Sequence, residues 1–336
     1  VLKSKNISLI FKKIMLVFEM KTGLIKNRIK KERKKILNKT YDIEIAFKDG
    51  FTAIFTAFGN SVQKIHWLHY EYGASNPNQK YQKLFKDDVF PNFDKFVAVS
   101  NGVKESFKKD YSFSKIEIIP NVIDSEKIIN LSKEESEVVP QKDKINIYLL
   151  GRLHYVKGYE RFLNVLKKLK KDNLLDKINV NIIGDGPLKK SIGVHIEKSK
   201  YKNKITTISS VDRSCVQKFM RDSDVFILPS VNETLGLVYL EAMAAGCITI
   251  GVMEEGIDGI IKNGENGFLI KPENYCSLET CLDTIVRMNN SEIQRMSLKA
   301  IETACSCPEN MAANNYLKIM KEKQEQYSDD GRKIAD

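Results

Sequence analysis

From about residue 42 onward, short runs of β-branched and aromatic residues alternate with longer amphipathic stretches, the rhythm of a parallel α/β sheet. These runs predict strands at 43–47, 64–69, 95–99 and 115–119. Ser100 and Asn101 are helix-capping residue types placed just after Phe96-Val97-Ala98-Val99, so Gly102 to Lys109 is expected to be a helix that completes a βα unit. After Pro120-Asn121 the chain turns polar, through Ser132-Lys133-Glu134-Glu135-Ser136-Glu137 to Pro140-Gln141-Lys142-Asp143, and 125–142 reads as a linker. A second alternation follows, with strands expected at 145–150, 178–183, 204–208, 225–228 and 247–251, spaced as in a Rossmann-like domain. No repeat period of roughly 20 to 50 residues recurs. A chain of 336 residues has room for these two α/β domains.

Charge changes the picture only at the start. The whole chain carries a formal +11, and residues 1–40 hold 13 Lys and Arg against Glu19 and Glu32, so the remainder is neutral overall. That distribution argues against a nucleic-acid surface. The basic residues are interleaved with apolar clusters, Ile7, Leu9, Ile10 and Phe11, then Ile14 to Phe18. Such a segment suits either an anionic membrane surface or a solvated helix face. No apolar run approaches the 18 or so residues of a membrane-spanning helix. The six cysteines, Cys215, Cys247, Cys276, Cys281, Cys305 and Cys307, lack the paired spacing of a zinc site and read as reduced thiols of a cytoplasmic protein.

Three constellations carry candidate chemistry. The strand Ile145 to Leu150 runs into Gly151-Arg152-Leu153-His154-Tyr155-Val156-Lys157-Gly158 and then a helical pattern from Tyr159. Such a turn sets backbone N–H groups and a helix dipole beside a bound anion, with Arg152 and Lys157 as charged donors for a diphosphate. Gly184-Asp185-Gly186-Pro187 is a second tight turn, at the carboxyl end of the strand Val180 to Ile183, where open α/β sheets bind ligands. In the third, Glu233 lies in the loop after Val225 to Leu228, and Glu241 sits about two turns into a helix starting near Gly236. Their carboxylates can accept hydrogen bonds from sugar or ribose hydroxyls, while the N–H groups of Leu235, Gly236, Leu237 and Val238 face a phosphate.

Taken in order, these elements and the closing Asn263-Gly264-Glu265-Asn266-Gly267-Phe268-Leu269 make residues 145–270 resemble the donor-binding half of retaining glycosyltransferases of family 4, which have the GT-B fold. The first half resembles the family more loosely, through Tyr41 to Ala46, Trp67-Leu68-His69, Val99-Ser100 and Ile119 to Asp124, in the manner of enzymes of bacterial surface polysaccharides. The resemblance implies two Rossmann-like domains: an acceptor-side domain over 1–124, a donor-binding domain over 143–305 and a carboxyl-terminal helix over 306–336. It implies that Arg152 and Lys157 stabilise the leaving diphosphate, Glu241 binds the ribose, Glu233 contacts the donor sugar, and His69 lies near the transferred sugar. It implies a nucleotide-sugar donor and a glycan or polyprenyl-linked acceptor, with no metal or other cofactor. Anomeric configuration would be retained by front-face attack, with the phosphate helping to deprotonate the acceptor.

The chain departs from the family pattern in two places. No glycine loop or initiating Met precedes the first matching strand, so the acceptor-side domain is expected to lack its amino-terminal part. The loop Met253-Glu254-Glu255-Gly256 replaces the commoner double-glycine version. Asp222-Ser223-Asp224 has the form of a metal-binding D-x-D motif, but it directly precedes a strand and reads as structural. A catalytically silent nucleotide-sugar binding protein and another GT-B enzyme, such as a sugar-nucleotide epimerase, stay open as alternatives. A dehydrogenase does not fit, because no G-x-G-x-x-G is followed by an acidic residue about 20 positions on.

Overall fold

The computed structural model describes residues 7–37, 39–70, 72, 79–113, 116–131, 140–169, 174–231, 236–272, 276–306 and 312–321. The chain forms two units, one from residues 1–120 with 313–336, the other from 121–312.

Unit 1 holds a four-stranded sheet in the order β1 (Ile43–Ala46), β2 (Gln63–Leu68), β3 (Lys95–Ala98), β4 (Ile116–Ile118), all parallel. Ser100 caps the helix Asn101–Asp110 that follows β3, its Oγ accepting from the Val103 N–H at 3.2 Å. Aromatic rings fill the core beside it, with Phe90, Phe96, Phe107 and Tyr111 packed edge to face or tilted. Ahead of the sheet stand two helices, α1 (Ile7–Thr22) and α2 (Ile25–Ile36), separated at Gly23, whose φ is +76°. α2 buries Ile25, Ile29 and the Arg33 stem; the Arg33 guanidinium donates to both Glu44 oxygens, at 2.6 and 2.7 Å, and to Phe55 O at 2.8 Å. α1 instead leaves Phe11, Ile14, Met15, Val17 and Phe18 exposed. Among the described residues no helix is long and apolar enough to cross a membrane.

Unit 2 holds six parallel strands in the order β10 (Gly267–Ile270), β9 (Ile248–Val252), β8 (Val225–Ile227), β5 (Ile145–Leu150), β6 (Ile178–Ile183), β7 (Ile205–Ile208). β6 is buried at every position and β5 at its four central ones, as strands covered on both faces must be. The chain builds outward from β5 through β6 to β7, then returns to β8 on the other side of β5. The strand order therefore reverses between β5 and β8, and ligands of open α/β sheets bind at such a switch point.

Two expectations about organisation change. Residues 125–142 were expected to be a linker, but Ser125–Leu131 is a helix of unit 2, with Ile123 and Ile128 in the same core cluster as Val216, Met220 and Tyr239; 132–139 lie outside the described residues. The carboxyl-terminal helix expected over 306–336 is observed at residues 312–321, which from Ala313 onward rejoin unit 1. There Ile319 O accepts from Gln63 Nε2 and Lys95 Nζ, each at 3.2 Å, and the Tyr316 ring meets Trp67 edge-on at 5.2 Å.

Candidate functional site

Three loops meet at the carboxyl ends of β5, β6 and β8, and backbone hydrogen bonds join them to one another. Gly151 N–H donates to Ile183 O (3.1 Å), Leu153 N–H to Asp185 O (2.9 Å) and Leu188 N–H to Leu153 O (3.0 Å), tying the β5 turn to the β6 turn. Val231 N–H and Ser230 Oγ both donate to Val156 O, at 2.8 and 3.2 Å, tying the β8 loop to the β5 turn. The approach leaves no room for side chains. A Cβ at Gly184 would lie 2.0 Å from Gly151 O, and one at Gly158, whose φ is +74°, would lie 2.0 Å from Pro229 O.

Gly158 opens the helix Tyr159–Lys168, and the Tyr159 hydroxyl donates back to Gly151 O at 2.9 Å, fixing the turn from inside. Arg152 on that turn is exposed and Lys157 half-buried. Asp185 is exposed and accepts from Lys189 Nζ and the Gly186 N–H, both at 2.7 Å. First the Lys189 contact and then the Gly186 N–H hold its carboxyl below the ordinary aspartate value. Pro187 stands two residues before the helix Lys189–Glu197 rather than inside its first turn.

Gly236 is the N-cap of the helix Leu237–Ala244. Tyr239 N–H returns to Gly236 O at 2.8 Å, while the Leu237 and Val238 amides belong to the turn that has no partner in the helix ladder. That helix buries Glu241, whose Oε1 accepts from Arg213 Nη2 at 2.7 Å; Arg213 itself is 81% exposed. The pairing was not legible from the local sequence, because 28 positions separate the partners. Glu233 and Leu235 lie outside the described residues.

Other sequence motifs make local hydrogen bonds. Asp224 Oδ2 accepts from the Asn146 N–H at 2.7 Å and from Asn146 Nδ2 at 3.2 Å, which braces the start of β8 against β5, while Asp222 Oδ1 accepts from Nε of its neighbour Arg221 at 2.7 Å. In the Asn263–Leu269 segment, Asn263 Oδ1 accepts from Leu269 N–H and Asn266 Oδ1 from Lys262 N–H, at 3.0 and 2.7 Å, which folds the turn before β10. Cys247 is buried, and desolvation raises its thiol far above the ordinary value.

His69, in unit 1, follows β2 and packs its ring against Phe47 at 4.7 Å. Its Nε2 is buried with no hydrogen-bond partner among the described residues. Desolvation is the main cause that lowers its pKa below 6.5, with His66 and Lys48 adding to it and Asp49 opposing. A polar network supports this end of the sheet: His66 Nδ1 and Nε2 lie 3.1 Å from Ala46 O and Asp49 Oδ1, and the Tyr72 hydroxyl donates to that same Asp49 oxygen at 2.8 Å.

The family model described as glycosyl transferases group 1 matches residues 132–303. An uncharacterized glycosyltransferase of Methanocaldococcus jannaschii is 29% identical over 200 residues, 56% of this chain and 50% of that protein. The UDP-Gal:alpha-D-GlcNAc-diphosphoundecaprenol alpha-1,3-galactosyltransferase of Escherichia coli is 26% identical over 189 residues, 55% and 48% of the two chains. The crystal structure of Anabaena HepE in complex with UDP superposes with a TM-score of 0.72 at 15% identity, covering 88% of this chain and 81% of that one. The chain thus spans about half the length of the curated relatives it matches. Its two parallel sheets have the GT-B fold.

Proposed function

Because the chain belongs to the glycosyl transferases group 1 family, we propose that it moves a sugar from a nucleoside diphosphate donor to a glycan or lipid-linked acceptor, with retention of anomeric configuration. The observation that carries this reading is the meeting of the Gly151–Gly158 turn, the Gly184–Gly186 turn and the Pro229–Val231 loop around the switch point between β5 and β8, with the helix Leu237–Ala244 tied to the end of β8 by the Tyr239 hydroxyl, which donates to Leu228 O. Diphosphate charge grows as the glycosidic bond breaks. Arg152, Lys157 and the Leu237 and Val238 amides would oppose that charge, and interactions that strengthen in the transition state raise turnover. Glu241 would hold the ribose, Glu233 the donor sugar, and His69 would face the transferred sugar. The reaction so drawn uses no metal. UDP is named with the Anabaena neighbour and a diphosphoundecaprenol-linked acceptor with the Escherichia coli relative, which supports a uridine donor and a polyprenyl-linked glycan acceptor here. The exposed apolar residues of α1 beside the basic α2 support attachment to the anionic cytoplasmic leaflet where such an acceptor lies, as part of surface polysaccharide synthesis.

Turnover of radiolabelled nucleotide sugars by the wild type and by Arg152→Ala and Lys157→Ala tests the reading. Both variants should lose turnover more than nucleoside affinity, and a chelator should leave the rate unchanged. A strict requirement for a divalent metal would overturn the metal-free step. Binding of donor without transfer or hydrolysis would favour the silent binding protein.

A further inference from the structure

Unit 1 holds a cavity of about 430 Å³ at the amino ends of β1 and β2, walled by α2 and by the segments that enter the two strands. His69 follows β2 at its other end, so the cavity stands apart from the side chain read above as facing the transferred sugar. Four cations line it, Lys30, Arg33, Lys34 and Lys39, and no acidic residue does. Arg33 is buried, and Glu44 balances its charge. A Cβ at Gly59 would lie 2.7 Å from Arg33 Nη2, so the bare backbone there lets the loop close on the guanidinium. Lys30, Lys34 and Lys39 are exposed, with neither ion pair nor side-chain hydrogen bond among the described residues.

Helix stability does not account for these lysines. Lys30 and Lys34 stand one turn apart on α2, where like charges repel and weaken a helix. The carboxyl end of a helix carries about half an elementary negative charge, which a single cation offsets. Lys35, in the same last turn, pairs with Glu32 and lies outside the cavity. The three remaining charges share one recess, and an anion held there would relieve their repulsion. Thr40 and Asn60 add neutral donors to the wall, and Leu37 and the buried Phe58 add an apolar surface. A phosphate monoester carries about −1.5 to −2 charges and three acceptor oxygens, which suits several ammonium groups at once. The volume is that of a small-molecule site rather than of a bare ion, so an organic group attached to the phosphate has room against Phe58 and Leu37.

We propose that this recess of unit 1 is an anion site that takes a phosphate monoester, free or as the headgroup of a lipid, on Lys30, Lys34 and Lys39. It is independent of the donor site in unit 2.

Acetylation footprinting of the full chain, read by mass spectrometry, provides the test. The probes are glycerol 3-phosphate, vesicles containing phosphatidic acid, and phosphatidylglycerol vesicles of equal surface charge. Lys30, Lys34 and Lys39 should lose reactivity at saturating glycerol 3-phosphate while Lys21 and Lys31 keep theirs, and the Arg152→Ala chain should show the same protection. Protection by glycerol 3-phosphate identifies a free ester as an occupant; protection only by phosphatidic acid vesicles, beyond that given by phosphatidylglycerol, identifies a lipid headgroup. Lys30→Gln with Lys34→Gln should weaken binding of the protecting probe by about tenfold or more, one charge-assisted hydrogen bond's worth. Lys21→Gln with Lys31→Gln removes the same charge from the basic helices and should leave affinity within about twofold. Glycerol 3-phosphate protection that extends equally to Lys21 and Lys31, or is lost in Arg152→Ala, overturns the site. Equal weakening by the two double variants does so too, as does no protection by glycerol 3-phosphate together with equal protection by the two kinds of vesicle.

Discussion

Glu241 and Arg213 form an unequal pair, one side chain nearly buried and the other almost wholly in water. A contact with so exposed a partner contributes little to stability, at most about 1 kcal/mol. Arg213→Ala should therefore leave the unfolding midpoint nearly unchanged in a thermal melt. Glu241→Ala should instead weaken nucleoside diphosphate binding, by roughly 1 to 3 kcal/mol as for hydrogen bonds to a charged group, and calorimetry reads it directly. Gly158 carries a different constraint. Alanine there meets both a left-handed backbone and the Pro229 carbonyl, so Gly158→Ala should cost about 2 kcal/mol or more in a denaturant titration. His69 is checked by its imidazole resonance: burial disfavours the charged ring, so the NMR titration midpoint should lie below 6.5, with the neutral form present above it.

Among elements, the strands of unit 2 were the most legible. β5 and β6 fall on 145–150 and 178–183 as expected, because each is an apolar-rich run bounded by polar or glycine residues; β7, β8 and β9 differ from expectation by a residue, and β10 was not expected as a strand. The two glycine turns and the start of the Leu237 helix were legible for the same local reason. What sequence reading missed depends on distant partners. Ser125–Leu131 looked like linker because only a few apolar residues, Ile128 among them, stand in a polar stretch, and its helix is held by a core contributed from elsewhere. Local signals also predict local energetics. Asn289 and Glu292 form a reciprocal capping box at the helix Asn290–Cys305, so Asn289→Ala should cost about 1 kcal/mol, read by chemical denaturation.

Across the molecule, the concentration of charge at the amino-terminal end coincides with the apolar residues that α1 leaves in solvent. Each basic residue near an anionic bilayer contributes on the order of 1 kcal/mol, and salt screens that attraction. The chain should sediment with anionic vesicles at low salt, less at high salt, and less again when Phe11, Ile14 and Phe18 are replaced by serine. Equal recovery in the supernatant for all three samples would leave α1 as a solvated helix. A second whole-molecule feature is the return of residues 313–321 to the sheet of unit 1, where Ile319 O meets Gln63 and Lys95. A ribosome releases β1 to β4 first, yet the helix that completes their packing is made some 200 residues later. Unit 2, an unbroken stretch from 121 to 312, can close as soon as it clears the exit tunnel. The half of the molecule synthesised later should thus become protease-resistant first, and in stalled nascent chains cleavage near residues 63–95 should persist until the segment around Ile319 has emerged.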